Sequence, residues 1–334
     1  MASEEMQYRC IGRGFCGSVC SLEDSQNTAL TAVKREDGGP GRSVTNDYEM
    51  HLRSLQSLSQ YQHQISTPLS IPQCYQLVES TDAWWRTCLS QFPTGYSACR
   101  ALISERIPKV PRQYSDGLVD LFCPDNKPLA DFVKSNPDDD SCLLRPYLGR
   151  RRRLQQGGAT SSRFQRFSLR NLPLHVDQME RLGLDIERYA TTMADALALM
   201  HWAAELDAND IEFVLAPPRR TTDAGVQPTF ESTHLGTHSL WILDFDCCAA
   251  LALDAAGVEQ ACAAFFRNDP FYPRPGTGRA ADEALWDVFK QRFVATSTSI
   301  LKQKGVGDVA IAEKLVQRIE EEAVARRRRV EGLV

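Results

Sequence analysis

The stretch IGRGFCGSVC, Ile11 to Cys20, constrains the fold more than any other part of this chain. It carries a G-x-G-x-x-G pattern at Gly12, Gly14 and Gly17. Such a loop either lets backbone N–H groups approach phosphate oxygens or makes an ordinary tight turn. In dinucleotide-binding folds the glycines join a strand to a helix, with an acidic residue about 20 positions further on. Here the residues after Gly17, SVCSL, read as a second strand. The pattern therefore predicts a strand–loop–strand flap rather than a βαβ unit.

YRCIGRG, CGSVCSL and TALTAVKRE predict three short strands joined by turns. GGPGRS, Gly38 to Ser43, is a loop. Tyr48, Leu52, Leu55 and Leu58 then recur at helical spacing, with Thr45 or Asn46 as the cap. IPQCYQLVE and CRALISERI predict two further strands. Residues 1–108 thus read as a five-stranded unit with one helix after its third strand.

DIERYATTMADALALMHWAAELD is the strongest helical pattern, with Tyr189, Met193, Ala196, Leu197, Met200 and Trp202 on a broad apolar face. IEFVLA and LWILDF predict two short strands, separated by a long polar loop of a kind that usually has a function or stays unfolded. Two helical patterns follow. The expected class is α+β, with units at 1–108 and 109–300 and a helical extension at 301–334.

Composition narrows the function. Hydrophobic residues make up 43% and charged residues 24%, as in an ordinary globular chain. A net charge of -5 argues against a general nucleic-acid binder, whose footprint is basic. MASEEMQYRC has no apolar core of a signal peptide, and no run of 18 apolar residues exists, so neither a signal peptide nor a membrane span is expected, and no membrane partner. The eleven cysteines are dispersed without a C-x-x-C pair, which reads as reduced thiols. A cytoplasmic location is expected, with a nuclear one as the alternative suggested by Arg326 to Arg329. His234 and His238 are the only histidines at close spacing and read as loop residues, so zinc is not expected.

The chemistry-bearing residues fall in a set order. AVK places Lys34 on the third strand, 15 residues after Val19, where an ammonium can contact phosphate oxygens. A carboxylate on the next helix should hold it: Glu49, with Asp47 and Glu36 as rivals. In MHWAAELDANDIEFVLA, Asp207 sits in a loop, with Asn209 two residues and Glu212 five residues further on. In WILDFDCC, Asp244 ends an apolar strand, a costly place for a carboxylate unless it is paired or metal-bound. Asp246 is two residues beyond it.

This order resembles the protein-kinase-like superfamily, nearer to its aminoglycoside and choline phosphotransferase branch than to regulated protein kinases. LDFD, at 243–246, is similar to the ID-F/W-E/D element of that branch. The resemblance covers roughly residues 8–250. The chain also resembles an uncharacterised family of filamentous fungi, on ERIP, RPYLGRRR, FSLRN, DANDIEFVLAPPR, LWILDFDCC and RNDPFYPRP. Members of that family are often labelled zinc-finger proteins, yet no zinc-finger spacing occurs here.

The resemblance implies a two-lobed fold, with a small antiparallel-sheet lobe and a larger, mainly helical one. It implies ATP with Mg²⁺ or Mn²⁺, and phosphate transfer to, or ATP-dependent activation of, a small-molecule acceptor. Gly12, Gly14 and Gly17 would cover the phosphates, Lys34 would contact them and Glu49 would position Lys34. The backbone of Glu105 and Ile107, in SERIP, would meet adenine. Asp207 would orient the acceptor hydroxyl, and Glu212, Asp244 and Asp246 would bind metal. Two departures stand out: Glu205-Leu206 where protein kinases have His-Arg, and Glu212 where the superfamily has asparagine. They leave a second reading open, a pseudokinase that binds a protein partner.

Three further stretches carry expectations. Arg145 and Arg150 to Arg153 form either an anion site or a solvated loop. RNDPFYPRPG, Arg267 to Gly276, is a rigid turn placed to shape a substrate pocket. Trp84 and Trp85, if extended, point to opposite sides, one into the core.

Overall fold

A computed structural model of the chain describes residues 6–23, 31–65, 69–152, 167–219, 228–330 and 332. The start of the TALTAVKRE stretch, Arg153 with most of the Gly/Ser-containing loop, and the polar residues 220–227 lie outside the described residues.

The chain opens with β1 (Gln7–Arg13), β2 (Ser18–Glu23) and β3 (Thr31–Arg35), followed by α1 (Val44–Tyr61). Next come β4 (Leu69–Ser70), β5 (Cys74–Val78), α2 (Ala83–Cys88) and β6 (Ala101–Glu105). The middle of the chain gives α3 (Arg112–Phe122), α4 (Lys127–Ser135), β7 (Leu144–Tyr147), β8 (Leu172–His175) and α5 (Val176–Arg181). It continues through α6 (Ile186–Ala198), β9 (Glu212–Ala216), β10 (Ser239–Leu243), α7 (Ala255–Arg267), α8 (Ala280–Lys304) and α9 (Ile311–Val330). The class is α+β, as expected.

The strands make two five-stranded sheets. The first has the order β1-β2-β3-β6-β5 and is antiparallel throughout. The second has the order β4-β10-β9-β7-β8 and mixes parallel and antiparallel pairs. β4 precedes β5 in sequence, yet it pairs with β10 of the other sheet.

The first sheet is closed on one face by aromatic residues. Arg35, 1% exposed, lies under the rings of Trp85, Phe92 and Tyr96, with its guanidinium carbon 4.7 to 5.4 Å from their centroids. Its charge is answered by Asp37 at 2.9 Å and Ser97 O at 2.8 Å. Trp84 and Trp85 are not in an extended segment: both sit on α2 and pack in this cluster, 4.7 Å apart edge to face.

The second sheet rests against a helical core centred on α6 and α8. Asp195 is fully buried between them, held by Arg292 at 2.7 and 2.9 Å and Thr296 at 2.6 Å. Breaking such a hydrogen-bonded buried pair leaves an uncompensated charge. The helical pattern expected to run through Trp202 changes character at Leu199–Ala203, which form a π turn. Such turns are frequent at functional sites, and this one delivers the chain into the 205–210 loop. Residue 300, where a boundary was expected, lies inside α8, and Ile311, Leu315 and Ile319 of α9 belong to the same core.

Among the described residues, no helix is long and apolar enough to cross a membrane.

Candidate functional site

A cleft of about 500 Å³ runs between the glycine-containing β1–β2 turn and the β9–β10 end of the second sheet. Gly12, Gly14 and Gly17 all line it. Gly14 N donates to Gly17 O at 2.9 Å, which closes the turn. Gly17 has φ of +151°, and a Cβ there would stand 2.2 Å from Arg35 O and 2.3 Å from Asp37 Oδ1. Only glycine fits that contact. Gly38 N and Gly39 N donate to Cys16 O and Phe15 O, so the turn is fastened to the loop after β3. Phe15, 80% exposed, stands at the tip with Arg42 beneath its ring.

Lys34 occupies the floor below this turn. Its Nζ lies 2.5 Å from Asp47 Oδ2, 2.5 Å from Asp244 Oδ1 and 3.6 Å from Asp246 Oδ2. Burial pulls the pKa of Lys34 down, but these carboxylates outweigh it and hold the ammonium well above its ordinary value. The helix carboxylate that meets Lys34 is therefore Asp47. Glu49 is exposed on the other side of α1 and makes no such contact, which corrects the expectation from sequence. Glu36 accepts from Val44 N at 2.9 Å, at the start of α1, where a carboxylate suits the helix dipole. The cap is Ser43, accepting from Thr45 N, rather than Thr45 or Asn46. Asn46 instead donates to Asp246 O and Cys248 O, joining α1 to the segment after β10.

Asp244 follows β10 with φ of +68°, and Asp210 has φ of +62°. Left-handed backbone is uncommon outside glycine and concentrates where surrounding structure enforces it. Both residues line the cleft. Arg42 links Asp210 to Asp246, donating to Asp246 Oδ1 at 2.7 Å and to Asp210 Oδ2 at 2.9 Å, with Cys247 Sγ also in contact. Asp210, Asp246 and Cys247 bring ligand atoms within 4.8 Å of one another, the one such grouping among the described residues.

The loop carboxylate named from sequence, Asp207, is not in the cleft. It is 6% exposed, and its oxygens accept from Ala249 N at 2.9 Å, Asn209 N at 3.1 Å and Gln260 Nε2 at 3.0 Å. Those bonds fix the loop, and Asp210 is the residue the loop presents. Asn268 completes the support: its Oδ1 accepts from Asp210 N at 2.6 Å and its Nδ2 donates to Ala208 O at 2.8 Å. RNDPFYPRPG is thus a buttress for this loop, with Phe271 and Tyr272 buried in the core.

Glu212 lines the cleft, but Arg145 of β7 holds it, with Nη2 at 2.5 and 2.6 Å from its two oxygens. Burial pushes the Glu212 carboxyl up to about 7, with Asp244 and Asp269 adding to the rise and Arg145 opposing it. A metal at Glu212 would have to displace Arg145. Arg145 Nε and Ser141 Oγ, both lining the cleft, are buried without a hydrogen-bond partner.

At the other end, Ile11, Val19 and Ala32 face Leu143 and Leu243 across an apolar slot. Ile107 and Glu105 line its edge. The Glu105 N–H is already committed to Gln73 O at 2.7 Å, and its carboxylate to Arg219 at 2.7 Å. Of the main-chain groups of Glu105 and Ile107 expected to meet adenine, the Glu105 N–H is thus engaged within the protein.

The arginine runs are mostly internal pairs. Arg151 is held by Glu180 and Asp282, Arg152 by Asp177, and Arg326 and Arg329 by Glu322. Of the two close histidines, His238 is buried against the Tyr189 hydroxyl at 2.6 Å.

A family model described as "Zinc finger protein" matches residues 240–305, well under half of the chain. That segment contains Cys247, Cys248 and Cys262 and no histidine. Cys248 and Cys262 are buried, and Cys262 sits on α7, in contact with Arg318 O. A structural zinc site needs four convergent ligands, and this segment does not supply them. No curated protein matches the chain.

Proposed function

We propose that the cleft binds ATP with Mg²⁺ or Mn²⁺ in a two-lobed, kinase-like arrangement, and that the protein transfers phosphate to a small molecule. The observation that carries this reading is Lys34, held between Asp47 of α1 and Asp244 after β10, directly under the glycine turn. An ammonium so placed reaches phosphate oxygens, and a strand-end carboxylate beside it suits a hard cation. The slot between Ile11, Val19, Ala32, Leu143 and Leu243 suits a flat base.

The metal ligands in this reading are Asp244 and Asp246, with Asp210 nearby; their oxygens match what Mg²⁺ prefers. Around Lys34 the carboxylates of Asp47, Asp244 and Asp246 outnumber the single ammonium. A triphosphate would be repelled there without a cation, so binding is expected to depend on metal. Asp210 takes the acceptor-orienting part assigned from sequence to Asp207.

A second reading is a nucleotide-binding scaffold without transfer. The closed Arg145–Glu212 pair and the full engagement of Asp207 favour it.

The test is thermal unfolding with and without ATP, each with and without Mg²⁺ or Mn²⁺. A ligand at 100 times its dissociation constant adds about 2.7 kcal/mol. The expected result is a rise that needs both nucleotide and metal and vanishes in Asp244→Ala. If no nucleotide–metal pair moves the midpoint, the reading is wrong. If the midpoint moves but no acceptor screen finds turnover that Asp210→Asn abolishes, the scaffold reading replaces it.

A further inference from the structure

Cys10 and Cys20 stand directly opposite one another on β1 and β2, as Cα partners in the antiparallel ladder. Opposed residues in such a ladder have Cα atoms about 4.5–5.5 Å apart, inside the roughly 4.4–6.8 Å span of a disulfide. Their side chains leave the same face of the ladder as direct cross-strand neighbours. Cys10 is partly exposed and Cys20 fully buried, which gives an oxidant access to one sulfur only. Cys10 Sγ also lies 3.2 Å from Gly12 O, at the root of the glycine turn. We propose that this pair is a site of reversible oxidation, in which Cys10 and Cys20 form a cross-strand disulfide at the base of the turn.

The surroundings separate this pair from the other nine cysteines. The neighbouring Cys20 thiol draws the Cys10 pKa down to about 5, against its partial burial and with help from Arg13 and Tyr96, while the Cys20 thiol is pushed up. Burial raises the other nine thiols. An accessible thiolate beside a resolving thiol is the arrangement of redox-responsive cysteines. With a peroxide as oxidant, the Cys10 thiolate attacks one peroxide oxygen and becomes a sulfenic acid as the O–O bond breaks. The Cys20 sulfur then attacks the Cys10 sulfur and expels hydroxide, which leaves as water with the Cys20 proton. Two thiols and one hydrogen peroxide give one disulfide and two waters.

Trypsin separates the pair, placing Cys10 in the peptide 10–13 and Cys20, with Cys16, in 14–34. The full chain is treated with hydrogen peroxide, its remaining thiols are alkylated, and the peptides are mapped by mass spectrometry. The expected result is loss of two of the eleven thiols and a 10–13/14–34 linked peptide, reversed by dithiothreitol. The link should persist in Cys16→Ser and disappear in Cys20→Ser. Alkylation of both Cys10 and Cys20 after oxidation overturns the proposal, and so does a link that survives in Cys20→Ser. Should Cys20→Ser fail to fold, loss of the link in Cys16→Ser overturns it equally. The mapping uses no nucleotide, so it is decided separately from the proposed function.

Discussion

Lys34 and Asp244, 210 residues apart in sequence, meet at 2.5 Å. The contact welds the third strand of one sheet to the end of the central pair of the other. It also makes Lys34 the common counter-charge of three acidic groups, Asp47, Asp244 and Asp246.

Removing that counter-charge should be costly. Asp47 is 2% exposed and would remain as a buried, unpaired carboxylate. Lys34→Ala is expected to lose about 3–5 kcal/mol in urea unfolding. Asp47→Asn keeps an acceptor for Phe245 N and should lose less, about 1–2 kcal/mol. Glu49→Gln should stay within about 0.5 kcal/mol of the parent. Equal losses at positions 47 and 49 would contradict the pairing.

The two loop aspartates should separate stability from turnover. Asp207→Asn weakens charge-assisted bonds to Ala249 N and Asn209 N and places an amide against Gln260, costing about 1–3 kcal/mol. Asp210→Asn should change stability by less than about 1 kcal/mol and lower phosphate transfer at least about 100-fold. Melting curves and an ATP-consumption assay with the acceptor in hand read both quantities.

Glu212 sets a pH signature. Its carboxyl is raised from 4.5 to about 7, so between those values the folded protein keeps a proton that the unfolded chain releases. Stability therefore falls as pH rises through that window and is level above it, by an amount of order 1–3 kcal/mol. Glu212→Gln should flatten this slope in urea titrations from pH 4.5 to pH 8. An unchanged slope would place the raised group elsewhere.

The glycines of the turn are not equivalent. Gly14 has open space where a Cβ would be, and Gly14→Ala should cost less than about 1 kcal/mol. Gly17→Ala drives a Cβ into Arg35 O and Asp37 Oδ1 at a φ few side chains adopt. A loss of about 2–4 kcal/mol is expected, together with loss of any nucleotide-dependent rise in melting temperature. Similar losses at the two positions would argue against the turn geometry.

Much of this arrangement was legible in the sequence, and the failures share a cause. The flap, Lys34 on its strand and the strand pair β9–β10 follow from alternation and turn residues, which act locally. Asp47 stood only as a rival to Glu49 because apolar spacing on α1 points to Tyr48, Leu52 and Leu55, whereas the helix buries Asp47, His51 and Ser54 as well. That polar stripe faces groups that satisfy it: Lys34, Pro72 O and Met200. Arg42 carried no local mark, and Arg145 was marked only as part of an arginine-rich stretch. Each is defined by partners far along the chain, Asp246 and Glu212, that only the folded topology supplies. Between Asp207 and Asp210, spacing alone could not tell the residue that ties the loop from the one the loop displays.

The two-residue strand β4 has a consequence for biosynthesis. Leu69 and Ser70 find their ladder partners at Leu240 and Trp241, and Asp47 awaits the backbone of Phe245. On the ribosome, the first sheet emerges long before these partners do. The buried polar stripe of α1 must wait, incompletely matched, until most of the chain has been made. Loop closure over such separations is slow, so nascent chains halted before Phe245 should be far more protease-sensitive in their first hundred residues than the finished protein.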